Sequence, residues 1–306
     1  MNTVYFDPDV SDDVRRQQLY AGQLFVYSPR PSSIALCEFA RGLIEEAFNG
    51  LEPRAAQDKM TVDEYAAILS QLKPNFIHHP NSKELLRKLL EEMGCDQDKT
   101  YFDVPRMRSS TSGDYLTTGI AYAWHPHRDT WYSAPNCQIN WWIPIYGIAS
   151  DNAMAFHPRY WGQPVRNDSA QYNYGEWNKN FRFNAAQYTK EDPRPLPRAT
   201  ESMELDPQIR LICPPGGIIL FSGAQMHSSV PNTSGVTRFS IDFRTVHEDD
   251  ILAHKGARLV DCSCSGTTLP DFMRSTDHGR FQEDVVSSYE VGGRAKDGVL
   301  VFNPGA

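Results

Sequence analysis

The apolar positions in the first hundred residues recur at three- to four-residue spacing. Leu36, Phe39, Ala40, Leu43 and Ala47 share one face of a helix that Ser33 is placed to cap. Thr61 followed by Glu64 has the form of a capping box. Asn81 followed by Glu84 opens a second, ahead of Leu85, Leu86, Leu89, Leu90 and Met93, and Gly94 supplies the stop. From about Tyr101 the texture changes to short aromatic and β-branched runs broken by Pro, Gly, Asn and Asp, which is how a β-rich core reads. The expected strands are 116–124, 138–145, 153–157, 218–222 and 237–246.

Helices first and strands afterwards predict a mainly β fold with flanking helices, an antiparallel sandwich or jelly roll in one domain. Its helical part would be 1–100, packed on a core at 101–250, with a C-terminal extension at 251–306. An aromatic-rich stretch without period, about 161–207, interrupts the core. Irregular segments of such length inside a compact domain are usually functional or disordered; its aromatics argue against disorder, and this one reads as a lid.

Composition narrows the partners. Thirty Lys plus Arg against 38 Asp plus Glu leave a formal net charge of -8 over 306 residues, which argues against a nucleic-acid partner. No stretch approaches the roughly 18 apolar residues of a membrane span, and the N-terminus lacks a basic start followed by an apolar run. A cytoplasmic protein with no membrane partner and a small-molecule substrate is expected. The six cysteines form no CxxC pair, so reduced thiols are the default, including Cys262 and Cys264.

The chemistry gathers in three places. In AWHPHRDTWY, His127 and Asp129 stand one residue apart, which on an extended strand aims both side chains the same way. His227 follows the apolar run GGIILFSGAQM and offers a third ligand. Two imidazoles and one carboxylate leave three positions of a metal free, the arrangement of non-heme iron(II) oxygenases. Eleven residues on, Arg238 begins RFSIDF, where Arg238, Ser240 and Asp242 alternate onto one strand face. An arginine fork there suits a distal carboxylate, and the Ser240 hydroxyl adds a further hydrogen bond. A second HxD, His247 with Asp249, lacks an apolar strand leading to a third ligand, and His125 is a candidate outer support for the first, the alternative being a solvent-facing strand end.

With HRD at 127–129, QINWWIPI and DNAMAFHP through 158, and GGIILFSGAQMH with RFS at 238–240, the chain resembles the iron(II)/2-oxoglutarate dioxygenase superfamily, in particular its phytanoyl-CoA dioxygenase-like branch. The resemblance spans roughly Arg106 to His247. HPRYW stands where that branch has a PGSH-like corner, so the lid beyond it is expected to differ. The resemblance implies a double-stranded β-helix, Fe(II) on His127, Asp129 and His227, 2-oxoglutarate on Arg238, and O2 as oxidant. It further implies that the inward face of the 138–142 strand, with Asn140 and Trp142 foremost, helps hold the co-substrate.

Because halogenating relatives replace the carboxylate by a small residue, Asp129 implies hydroxylation or a related oxidation, with release of succinate and CO2. The expected substrate is a small polar metabolite or natural-product intermediate. Arg106, Arg108, Tyr160 and Trp161 are candidates to contact it, with Tyr172, Tyr174 and Trp177 near Arg166 and Arg182 closing over it. The competing reading is a non-redox cupin-type protein, an isomerase or ligand sensor; a degenerate scaffold is less compatible with an intact triad.

Overall fold

The computed structural model describes residues 3–122 and 125–290. Among the described residues, eleven strands form two sheets. They are β1 (Val4–Phe6), β2 (Leu24–Tyr27), β3 (Thr100–Phe102), β4 (Arg106–Ser110), β5 (Ile139–Pro144), β6 (Met154–Phe156), β7 (Ile209–Leu211), β8 (Ile218–Ser222), β9 (His227–Ser229), β10 (Arg238–His247) and β11 (Met273–Arg274). The larger sheet runs β1-β2-β8-β5-β10-β3-β11, with β4 also on β10; the smaller runs β7-β6-β9. Every pairing is antiparallel except β1 with β2.

The helices are α1 (Asp12–Tyr20), α2 (Pro31–Phe48), α3 (Val62–His78), α4 (Pro80–Glu92), α5 (Tyr174–Asn180), α6 (Glu248–Leu252) and α7 (Glu283–Glu290). Thr61 and Glu64 close the expected capping box on α3, and Gly94 takes a positive φ just beyond α4. The other two starts shift. Proline's fixed φ and missing N–H suit a first helical turn, so α2 begins at Pro31 and Ser33 accepts from the Arg30 N–H inside the first turn. Pro80 likewise opens α4, capped by His79 rather than Asn81. No helix among the described residues is long and apolar enough to cross a membrane.

Strand alternation gives the larger sheet two buried faces. Ile139, Trp141 and Ile143 of β5, with Ile218, Leu220, Phe239, Ile241 and Phe243, pack against the core faces of α2, α3 and α4. The opposite face meets the smaller sheet. There Trp142, Ile219 and Phe221 join Leu24 and Val26 against Met154, Phe156 and Leu211.

Four of the five expected strands form within a residue or two. The expected strand at 116–124 does not. Gly119 lies at φ 55° in a 3-10 turn, Gly119–Ala121, and a Cβ there would run into the carbonyls of Tyr188 and Ala185. Residues 123 and 124 of that expectation lie outside the described set, as do 291–306 of the C-terminal extension. The first hundred residues are also less purely helical than their periodicity suggests, because β1 and β2 extend the larger sheet.

Candidate metal centre and cavity

His127 and His227 are held together by their backbones, each N–H donating to the other's carbonyl at 3.0 Å. This bridge adds His127 to the free edge of the smaller sheet beside β9. Asp129 does not continue the strand; it opens a 3-10 turn, Asp129–Tyr132, and its N–H donates to Gly223 O at 2.8 Å. Convergence therefore comes from a bridge followed by a turn, not from strand parity alone.

Between the two ligands, Arg128 turns away and pins the loop. Its buried guanidinium donates to Asp261, to the carbonyls of Ala224 and Gln163 at 2.7 and 3.1 Å, and to that of Tyr160.

The donor atoms of His127, Asp129 and His227 all lie within 4.8 Å of one another, and no fourth His, Cys, Asp or Glu joins them among the described residues. Asp129 Oδ1 is 3.5 Å from His127 Nε2 and 3.8 Å from His227 Nε2. Three donors sharing a cation at about 2.1 Å stand roughly 3 Å apart at right angles, so shifts of under about 1 Å suffice.

The tautomers fit too. His127 Nδ1 donates to His125 O at 2.7 Å and His227 Nδ1 to Gln225 O at 2.9 Å, which leaves each Nε2 lone pair for a metal. The support from His125 thus comes through its carbonyl.

Electrostatics keep Asp129 and His227 in their ligating forms. Burial opposes charge on Asp129, yet its contacts with the His127 and His227 rings and the charge of Arg244 hold its carboxyl far below the usual range. Burial, then the neighbouring His127, pushes His227 down to about 3. The outer oxygen of Asp129, Oδ2, accepts from Gln138 Nε2 at 2.9 Å and Asn140 Nδ2 at 2.8 Å, with Arg244 Nε at 3.9 Å. Of these, Gln138 and Arg244 were not singled out from sequence; Gln138 shares Asn140's strand parity, whereas Arg244 extends the Arg238, Ser240, Asp242 alternation by one step.

The triad opens on a cavity of about 710 Å³ between the sheets, bordered by α3, α5 and the Gly119–Ala121 turn. Arg238 lines it, 6% exposed, with its guanidinium 5.4 Å from the Trp142 ring centre. Its Nη1 donates to Asn152 O and Ala153 O at 3.0 and 3.3 Å, while Nε has no partner. Burial lowers its pKa to about 10. His227 pairs with Phe156 on β6, so Arg238 reaches a carbonyl three residues along that strand, roughly 10 Å away. Ser240 shares its strand face, fully buried with an unpartnered hydroxyl, but does not itself line the cavity.

The remaining candidates divide. Arg106 and Arg108 line the cavity, bound to Asp103 and Asp242 respectively; Arg108 reaches Asp242 at 2.6 and 3.2 Å. Tyr172, Tyr174, Trp177 and Arg182 form its outer wall, with Arg182 on Asp271 at 3.0 Å.

Tyr160 and Trp161 do not belong there. Tyr160 is buried against Trp131, Val165 and Met226, its hydroxyl engaged with the Glu204 backbone, and Trp161 packs over Gly22. Arg166 is exposed and paired with Glu201. The second HxD has no third ligand among the described residues, and Lys99 takes Asp249 at 2.8 Å.

No protein-family model matches the sequence, and no curated protein matches it. Among solved structures the chain is similar to EvdO2 from Micromonospora carbonacea var. aurantiaca, at 9% identity over 78% of this chain and 92% of that one, with a TM-score of 0.44. It is also similar to SnoN, a non-heme alpha ketoglutarate dependent epimerase from nogalamycin biosynthesis (11%, 77% and 84%, TM-score 0.36). A third is the non-heme monooxygenase ThoJ (13%, 81% and 79%, TM-score 0.39).

Proposed function

We propose that the chain is an iron(II)- and 2-oxoglutarate-dependent oxygenase on a double-stranded β-helix, hydroxylating a small polar molecule. One observation carries the reading. Three metal donors, with no fourth among the described residues, face a cavity whose wall holds a buried guanidinium lacking an anionic partner.

Each residue has work to do in that reading. His127 and His227 present Nε2 and Asp129 presents Oδ1, while Gln138 and Asn140 hold Oδ2 so that the carboxylate does not rotate. The unused capacity of Arg238 suits the distal carboxylate of a five-carbon diacid, and the separation along β6 suits its length. Trp142 beneath the guanidinium excludes water from that ion pair. Bound iron with 2-oxoglutarate and O2 supplies oxidation of an unactivated C–H bond, releasing succinate and CO2. Asp129 fills the position that a halide would need, which favours hydroxylation. The phytanoyl-CoA-like branch rests on the sequence motifs alone.

Succinate formation tests the assignment. It should require both iron(II) and 2-oxoglutarate and disappear in His127→Ala. Substrate conversion by wild type without consumption of 2-oxoglutarate would favour the cupin-type isomerase instead.

A further inference from the structure

Seven basic side chains line the cavity against four carboxylates, although the chain as a whole carries a net charge of -8. Most of the cations are already matched. Arg106 and Arg244 share Asp103, Arg108 holds Asp242, Arg182 holds Asp271, and Arg194 holds Asp192. Asp129 belongs to the metal centre. Among the described residues this leaves two cavity cations with no carboxylate within ion-pair distance, Arg238 and Lys73. Arg238 has an occupant in the co-substrate.

Lys73 lies on α3, 8% exposed, and donates to Ile120 O in the turn that borders the cavity. An ammonium carries three N–H donors, so two remain for a ligand. Burying it without a counter-ion is costly, and such a cost persists where a ligand removes it. The charged groups facing Lys73 are Arg108 on β4 and Asp242 on β10. Asp242 is already taken by Arg108 and approached by Arg244 at 3.6 Å, so it does not serve as the missing partner. The turn over Lys73, Gly119–Ala121, carries no titratable side chain. In the same cavity, Tyr172, Tyr174 and Trp177 offer flat apolar surface for the body of a ligand.

We propose that Lys73 anchors an anionic oxygen group, carboxylate or phosphate, of the primary substrate, so that two acids are held at once, the co-substrate on Arg238 and the substrate on Lys73. This rests on the oxygenase reading above. Burial, with the charge of Arg108, lowers the Lys73 pKa to about 7. An anion that restores its full charge therefore draws a proton into the site on binding.

The test uses full-length protein loaded with zinc(II), which is redox-silent, and calorimetry at pH 7. 2-Oxoglutarate is titrated first; benzoate, phenyl phosphate and neutral benzamide are then titrated into the saturated complex. One of the two acids should bind at least tenfold more tightly than benzamide, and which one identifies the anionic group. Lys73→Met should lower that affinity at least tenfold while 2-oxoglutarate binding changes less than twofold, and Lys73→Arg should recover part of it. Wild type alone should show proton uptake, read from buffers of different ionisation enthalpy, so the test survives a variant that fails to fold. Equal binding of acid and amide, unchanged affinity in folded Lys73→Met, or no proton uptake would overturn the proposal. Failure of 2-oxoglutarate to bind in the first titration would instead overturn the oxygenase reading beneath it.

Discussion

The amide of Asn140 donates to Asp129 Oδ2 at 2.8 Å, on the opposite side of the carboxylate from the oxygen that faces His127 and His227. The two oxygens thus have separate duties. One is fixed to the larger sheet, and the other is left for the metal.

Asn140→Ala should therefore weaken metal binding without abolishing it. Supporting partners of metal ligands typically contribute about 10- to 100-fold in affinity. A manganese(II) titration of wild type and variant measures this. A change below about threefold would show that Gln138 alone orients Asp129.

Arg238→Ala should leave metal affinity within about twofold and weaken 2-oxoglutarate binding by about 100-fold or more. Losing one partner of a buried, hydrogen-bonded charge pair costs about 2–5 kcal/mol. Calorimetry on the manganese(II) complex checks the split; parallel loss of both affinities would assign Arg238 to the fold instead.

Arg128→Met should cost about 3–5 kcal/mol of stability, because it strands the buried Asp261, which also accepts from Trp131 Nε1 at 2.8 Å and Val165 N at 3.0 Å. Urea unfolding of the metal-free protein reads the loss. A change under about 0.5 kcal/mol would contradict the role of Arg128 as the pin between the two ligands.

Lys73 makes stability pH-dependent with a definite sign. Its folded pKa of about 7 lies below the ordinary 10.5, so between these values the unfolded chain keeps a proton that the folded chain has released. Its contribution to stability therefore rises with pH across that window, by at most about 1.4 kcal/mol per unit, and is flat below it. Subtracting a Lys73→Met profile from wild type between pH 6.5 and 9 isolates the effect. A flat difference would mean that Lys73 stays charged in the folded protein.

Much of this was readable from residue order, and the failures have physical causes. The strands 218–222 and 238–247 and the Thr61–Glu64 box were legible because they are local and strongly patterned. In RFSIDFR the polar face, normally the solvent side, turns inward, and Arg238, Asp242 and Arg244 line the cavity. That was visible only because an arginine fork had a chemical reason to be buried. The contacts of the segment at about 161–207 were not legible. Tyr160 and Trp161 differ from Tyr172 and Tyr174 in no local property; which aromatics face the cavity depends on where Arg128, Asp261 and Asp271 anchor the long segment. Lys73 escaped because a lysine on a helix reads as surface, and only the folded neighbours reveal its burial.

The most direct test of the central claim is spectroscopic. With oxygen excluded, iron(II)-loaded protein given 2-oxoglutarate should develop a weak visible charge-transfer band, and the same protein given succinate should not. Binding of iron(II) without that band would mean that the open half of the metal's coordination sphere does not accept the oxo-acid, and the oxygenase assignment would fail.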